Sequence, residues 1–285
     1  MSHHDSNKKL LSLFGIKWNP FSADIPAEGL YRSSMVENFA WRVENLIIDG
    51  GFALIVGDPG HGKSVALRLL EDRFRDLKDV TVARIDRPQS NLSDFYREIC
   101  ERFGLDIRIT NRWGGYKSLR EKWLHHIATT LFRPILFIDE AQQMQPSVLS
   151  ELRLLTSDRF DSRRILTVVL AADRRLLKTF ETPELMPLAS RIRARLNLEA
   201  YSRDELLKVL QHSIEIAGNK QLVTSSLMQI LTENSLGNPR VMMNTADELL
   251  AHAAKRELSQ IDEKLFFEVM GDRLSKRRPP KNPRE

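Results

Sequence analysis

Gly57, Gly60, Gly62, Lys63 and Ser64 stand in the octapeptide Gly57-Asp58-Pro59-Gly60-His61-Gly62-Lys63-Ser64, which fills every fixed position of the pattern G-x-x-x-x-G-K-[ST]. Each residue type has a chemical reason. Glycines carry no side chain, so backbone N–H groups can close around β- and γ-phosphates, and a helix opening near Lys63 adds the positive end of its dipole. Lys63 reaches the β/γ oxygens, Ser64 offers a hydroxyl to Mg²⁺, and Asp58, Pro59, His61 and Val65 complete the same turn. His61 holds a variable position and reads as an incidental loop residue rather than a base. A plain glycine-rich turn would need neither the lysine nor the serine.

A second group of chemistry-bearing residues ends the apolar run Ile135-Leu136-Phe137-Ile138, which delivers Asp139 and Glu140 at its C-terminal end. Open α/β sheets place their ligands at that end of their strands. In phosphoryl transfer the protein positions groups and neutralises charge. One carboxylate to orient the metal shell, Asp139, and one to polarise the attacking water, Glu140, are the parts expected. Alone, the pair would serve equally as the cap and first turn of a helix. A complete phosphate loop upstream favours the chemical reading.

Strands must hold both groups. Candidates lie at 52–56, 80–85, 135–138, 165–171 and the alternating 194–198, with helical stretches between them, including 34–49 and the run after Ser64. That rhythm predicts a parallel sheet covered by helices on both faces. Beyond residue 200 the strands stop. Ser202 with Glu205 predicts a capping box, with Leu206, Leu210, Ile214 and Ala217 at helical spacing up to Gly218. Asn238-Pro239 opens a further helix with Met242, Ala246, Leu249 and Ala253 on one face. The expected domains are a flexible segment 1–20, a nucleotide-binding domain 21–200, a small all-helical domain 201–273 and a basic disordered tail 274–285.

Composition sets the remaining bounds. The 285 residues are 42% hydrophobic and 28% charged, as in a globular protein. No apolar stretch approaches the roughly 20 residues that span a bilayer, and the polar start Met1 to Lys9 shows no secretory signal. The single cysteine, Cys100, excludes an internal disulfide framework. The expected compartment is the cytoplasm, with no membrane partner. The net charge of +5 draws on Arg273, Lys276, Arg277, Arg278, Lys281 and Arg284, which suit either a polyanionic partner or a solvated tail. His125 and His126 lack partners at metal-ligand spacing.

With both motifs in order, the chain resembles the AAA+ ATPases over roughly residues 20–270. The resemblance implies a P-loop NTPase core with a five-stranded parallel sheet and a C-terminal helical lid, ATP and Mg²⁺ as cofactors, and a homo-oligomer, ring or filament. Gly237-Asn238-Pro239-Arg240 looks like the second sensor, whose Arg240 reaches the γ-phosphate; a capped helix with a surface arginine is its alternative. In Leu188-Ala189-Ser190-Arg191-Ile192, Arg191 is similar to the arginine finger acting in trans, with Arg193 and Arg195 as competing candidates. The first sensor departs from the family pattern, because Asp173 stands where a polar donor is usual and an ionised carboxylate donates no hydrogen bond. A helix cap is the other role open to it. Tyr31 either packs near the adenine or only packs.

Asn19-Pro20-Phe21, Leu30-Tyr31, Asp139-Glu140-Ala141-Gln142 and the Gly-Asn-Pro-Arg segment look like the ExeA-type branch, which also resembles the transposition helpers of the TniB and IstB kind. Two functions follow. ATP-bound subunits assemble on double-stranded DNA and present a target to a transposase, or an ExeA-type ATPase helps a secretion apparatus assemble. The basic balance, and the lack of a membrane segment and cell-wall-binding extension after the ATPase, favour the transposition reading. Another P-loop remodeller acting on a protein is a further alternative. Arg108, Arg112 and Lys117 beside Trp113 and Tyr116 form either a DNA-contacting patch or an ordinary amphipathic surface.

Overall fold

The computed structural model describes residues 3–85, 87–105, 112–129 and 133–276. In chain order its elements are α1 (His3–Phe14), α2 (Ser34–Asp49), β1 (Gly51–Gly57), α3 (Lys63–Arg75), β2 (Val80–Ile85), α4 (Leu92–Arg102), α5 (Arg112–Thr129), β3 (Arg133–Ile138), α6 (Pro146–Thr156), β4 (Thr167–Ala172), α7 (Arg175–Phe180), α8 (Met186–Ala189), β5 (Ile192–Leu198), α9 (Arg203–Ala217), α10 (Ser225–Asn234), α11 (Pro239–Lys255) and α12 (Glu263–Lys276). They form two compact units: Arg32–Glu199, and the chain from Ala200 onward together with the segment up to Tyr31.

In the first unit the five strands pair in the order β2-β3-β4-β1-β5, and every pairing is parallel. All five expected strands are present. β1 and β4 are buried along their whole length, as strands covered on both faces must be, and their sequences are correspondingly continuous apolar runs. β5 has a neighbour on one side only. It alternates, with Ala194, Leu196 and Leu198 buried and Arg193, Arg195 and Asn197 exposed. Arg42 of α2 donates from Nη2 to the carbonyl of Arg193 at 3.1 Å and from Nη1 to that of Arg195 at 3.5 Å.

The helices follow local signals. Ser33 caps α2 by accepting from the N–H of Val36, and Asn91 caps α4 by accepting from Asp94. Between α6 and β4 lies a small antiparallel ladder, Ser157–Asp158 with Arg163–Arg164. Its tip holds Arg159, Phe160 and Asp161 in succession at positive φ, 49°, 55° and 69°.

In the second unit the capping box of Ser202 and Glu205 and the left-handed C-cap at Gly218 bound α9 where the sequence predicts, and Asn238 caps α11. Leu206, Leu210, Ile214 and Ala217 share a core with Met242, Ala246, Leu249 and Ala253. The N-terminal stretch differs from the expectation of a free segment 1–20 followed by the nucleotide-binding domain at 21. Residues 3–14 are helical, Phe14, Ile16 and Phe21 are buried in this same core, and Asn219 Nδ2 donates to the Phe14 carbonyl at 2.8 Å. Phe14, Ile16 and Phe21 are thus used on the helical unit, and the sheet unit begins at Arg32. At the other end α12 continues to Lys276, past the expected boundary at 273. The basic positions Arg277, Arg278, Lys281 and Arg284 lie outside the described residues, as does Arg108.

Candidate nucleotide site

β1 ends at Gly57, and the loop returns to open α3 at Lys63. Gly57 is packed so closely that a Cβ there would stand 2.9 Å from the Cβ and carbonyl oxygen of Leu198 on β5. Gly62 caps α3 at φ 92°, in the left-handed region that side chains avoid. Lys63 is buried, and its Nζ donates to the carbonyls of Gly57 at 2.9 Å and Asp58 at 3.3 Å, so the ammonium sits inside the loop. His61 lies within the loop, as its variable position implies, and is enclosed there. It is 9% exposed, and its Nδ1 is buried without a hydrogen-bond partner among the described residues. Asp58 is paired instead with Arg174, at 3.3 Å, and Val65 is exposed in the first turn of α3.

The ends of β1 and β3 converge. Ser64 Oγ donates to Asp139 Oδ2 at 2.6 Å, and Asp139 Oδ1 accepts the backbone N–H of Glu140 at 2.8 Å. Glu140 lies at φ 52° and heads the short 3₁₀ turn Ala141–Gln143. A left-handed non-glycine residue costs of order 1 kcal/mol or more and persists where its surroundings over-determine it. Here the turn brings two amides onto one carboxylate oxygen: Gln142 Nε2 is 2.5 Å and Gln143 Nε2 3.5 Å from Glu140 Oε2. The helix-cap alternative for Asp139-Glu140 is therefore met only in part, since Glu140 caps a single turn without a side-chain cap bond.

Asp173 is committed locally. Its Oδ1 accepts the backbone N–H of Arg175 at 2.9 Å, and both oxygens bond the Arg175 guanidinium, which holds the carboxyl below the ordinary carboxylate value. This is the turn at the head of α7. The backbone N–H of Asp173 donates to Gln142 Oε1 at 3.1 Å.

Arg191 is held within its own chain. Nε is 3.0 Å from Asp161 Oδ2, Nη2 pairs the same oxygen, and Nη1 donates to the Pro187 carbonyl. Arg193 pairs Asp49 at 3.4 Å, and Arg195 is exposed. Arg240 stands in the first turn of α11, with its N–H on Asn238 Oδ1. Tyr31 meets the ring of His212 edge-on at 5.7 Å. Of the proposed DNA patch, Trp113 stacks on Tyr116, Arg120 lies over the Tyr116 ring at 5.3 Å, and Lys117 is 3.7 Å from Glu121.

The sequence reading quoted Gln142 only within the resemblance and gave it no role, and it missed Gln143 and Asp161. The closeness of both glutamines to Glu140 in the chain was the signal for the first two. Asp161 gives no sequence signal at all, because its partner is distant in the chain.

A sheet with this strand order, a glycine-rich loop after the strand β1 and paired acids after β3 define the AAA+ P-loop class of nucleoside triphosphatases. Residues 48–180 match the model of the AAA domain. That segment carries the family's AAA domain, and the chain is ExeA-like. It is 31% identical over 248 residues to general secretion pathway protein A of Aeromonas hydrophila, a match that covers 85% of this chain and 44% of that protein. The chain thus spans less than half the length of that relative. Solved structures share the fold. The Aeropyrum pernix ORC2 protein has a TM-score of 0.72 at 18% identity, covering 89% of this chain and 71% of that one. Cdc6p of Pyrobaculum aerophilum has 0.70 at 16%, covering 85% and 67%. The Thermotoga maritima RuvB branch migration motor has 0.51 at 15%, covering 89% and 72%.

These likenesses correct the balance drawn from the sequence. They favour the secretion alternative over the transposition helper and lend DNA binding no support beyond a shared fold. The argument from a missing membrane segment and extension loses its force, since the match concerns only part of the relative. Among the described residues no helix is long and apolar enough to cross a membrane.

Proposed function

We propose that this chain is the ATP-hydrolysing part of a secretion-apparatus assembly factor, converting ATP and water to ADP and phosphate. The observation that carries the hydrolytic half is the 2.6 Å link of Ser64 to Asp139, which sets the phosphate loop against the strand end bearing Glu140. Lys63 would bind the β/γ-phosphates and Glu140 would polarise the attacking water. A hydroxyl and a carboxylate oxygen are the hard donors Mg²⁺ takes, and the orphaned Nδ1 of His61 leaves a buried polar atom to be satisfied in the same loop. The metal, when bound, neutralises charge on the phosphates. Arg240 as second sensor and Arg191 as a finger for a neighbouring subunit complete the reading. Because Asp161 holds Arg191, the finger role requires exchanging that carboxylate for a γ-phosphate.

The secretion half rests on the likeness to the Aeromonas protein. Lys63→Ala should abolish nucleotide binding, and Glu140→Gln should bind ATP while slowing turnover about a hundredfold or more, in the range of a lost general base. In the source cell, deletion of the gene should reduce export, with rescue by the wild-type chain and not by Lys63→Ala. Unchanged export, together with ATP-dependent assembly of the purified protein on DNA, would transfer the reading to a DNA-directed helper.

A further inference from the structure

The side chain of Gln142 is fixed from both sides. Its Oε1 accepts the backbone N–H of Asp173 at 3.1 Å, and its Nε2 donates to Glu140 Oε2 at 2.5 Å. A backbone N–H can only donate, so its contact assigns the oxygen of this amide and leaves the nitrogen facing Glu140. On the other flank Gln143 Nε2 lies 3.5 Å from the same Oε2, and Gln143 Oε1 accepts from Gln89 Nε2 at 2.6 Å. Gln89 follows β2, Glu140 follows β3 and Asp173 follows β4, which are neighbours in the sheet. A row of amides therefore crosses three adjacent strand ends with one carboxylate at its centre.

The two ends of the row differ in strength. The Gln143 contact is at the limit of hydrogen bonding, whereas the Gln142 contact is short, as bonds to a charged acceptor are. Among the described residues Glu140 Oε1 makes no hydrogen bond, so one oxygen is anchored and the other is left for a reacting group. At the end of β4 Asp173 is an acceptor committed to Arg175 and supplies no side-chain N–H. Gln142 brings an amide to that place from the adjoining strand, and the Asp173 backbone aims it.

We infer that Gln142 is a positioning residue for Glu140: it pins Oε2 so that Oε1 is presented to the attacking water in a fixed orientation. The inference rests on the hydrolytic reading of Glu140 proposed above. Misplacement of a reacting group by about 1 Å can lower a rate about a hundredfold, so the anchor should act on turnover and leave nucleotide binding alone.

Gln142→Met keeps the side-chain length and removes the donor. Single-turnover hydrolysis should fall at least about tenfold, with the ATP dissociation constant and the melting temperature unchanged. In a Glu140→Asp background, whose shorter carboxylate lies beyond the amide's reach, the same substitution should add little, a non-additivity that marks residues acting as a unit. Should the methionine variant fold poorly, Gln142→Asn, which shortens the amide, serves the same comparison. Wild-type turnover in a folded Gln142 variant would overturn the inference, as would equal losses in both backgrounds. The underlying reading fails separately, through a Glu140→Gln variant that hydrolyses ATP at the wild-type rate.

Discussion

Ser64 Oγ and Asp139 Oδ2 lie 2.6 Å apart although 75 residues separate them in the chain, and Asp139 turns its other oxygen to the N–H of Glu140. One carboxylate thus fixes both the first turn of α3 and the backbone of Glu140, the residue proposed to polarise the attacking water. Residues that orient metal ligands typically affect metal affinity 10–100-fold when removed. Asp139→Ala should raise the Mg²⁺ concentration for half-maximal hydrolysis by about tenfold or more, measured by magnesium titration at saturating ATP; an unchanged requirement would remove Asp139 from the metal shell.

Arg191 offers a test of trans action. Arg191→Ala and Lys63→Ala subunits should each be inactive alone, and mixing them should restore part of the turnover by pairing an intact loop with an intact finger. No recovery from folded, co-assembled subunits would return Arg191 to the purely structural partnership with Asp161.

That partnership has a pH signature. Bonding to Arg191, and then to Ser157, lowers the Asp161 carboxyl below its ordinary value of 3.8. A depressed folded value contributes stability that is present above the unfolded value and lost as pH falls through the folded one. Asp161→Asn should therefore lower the urea midpoint at neutral pH, with the gap to wild type closing on acidification below about pH 4. A constant gap across that range would mean that the ion pair is not its source.

Cys100 reports on the sheet unit. It is buried on α4, and burial pushes its thiol up to about 11, with Lys122 opposing the rise. Reagents that capture thiolate should label it about a hundredfold more slowly in the native protein at pH 8 than after denaturation. Rapid labelling of the native chain would show that α4 opens readily.

The sheet and the phosphate loop were legible in sequence because their signals are local: buried parallel strands are apolar runs, and a glycine-rich turn before Lys63 and Ser64 has few other uses. The caps at Ser202, Gly218 and Asn238 were legible for the same reason. The second core was only half visible, because nothing in Phe14, Ile16 or Phe21 says which unit will bury them. Around Glu140 the sequence shows the carboxylate and hides its anchor, since Gln142 acquires meaning only when the end of β4 lies beside it. The Arg191 to Asp161 pair likewise joins residues distant in the chain and depends on the left-handed tip between α6 and β4.

Arg42 has a consequence for how copies of this chain can meet. The outward carbonyls of Arg193 and Arg195 on β5 are the acceptors an added strand would need, and a guanidinium from α2 already occupies them. Extension of the sheet by edge-to-edge pairing is thereby blunted. Contact between copies at this edge would then rest on side chains rather than on a continuous backbone ladder that would lock them together.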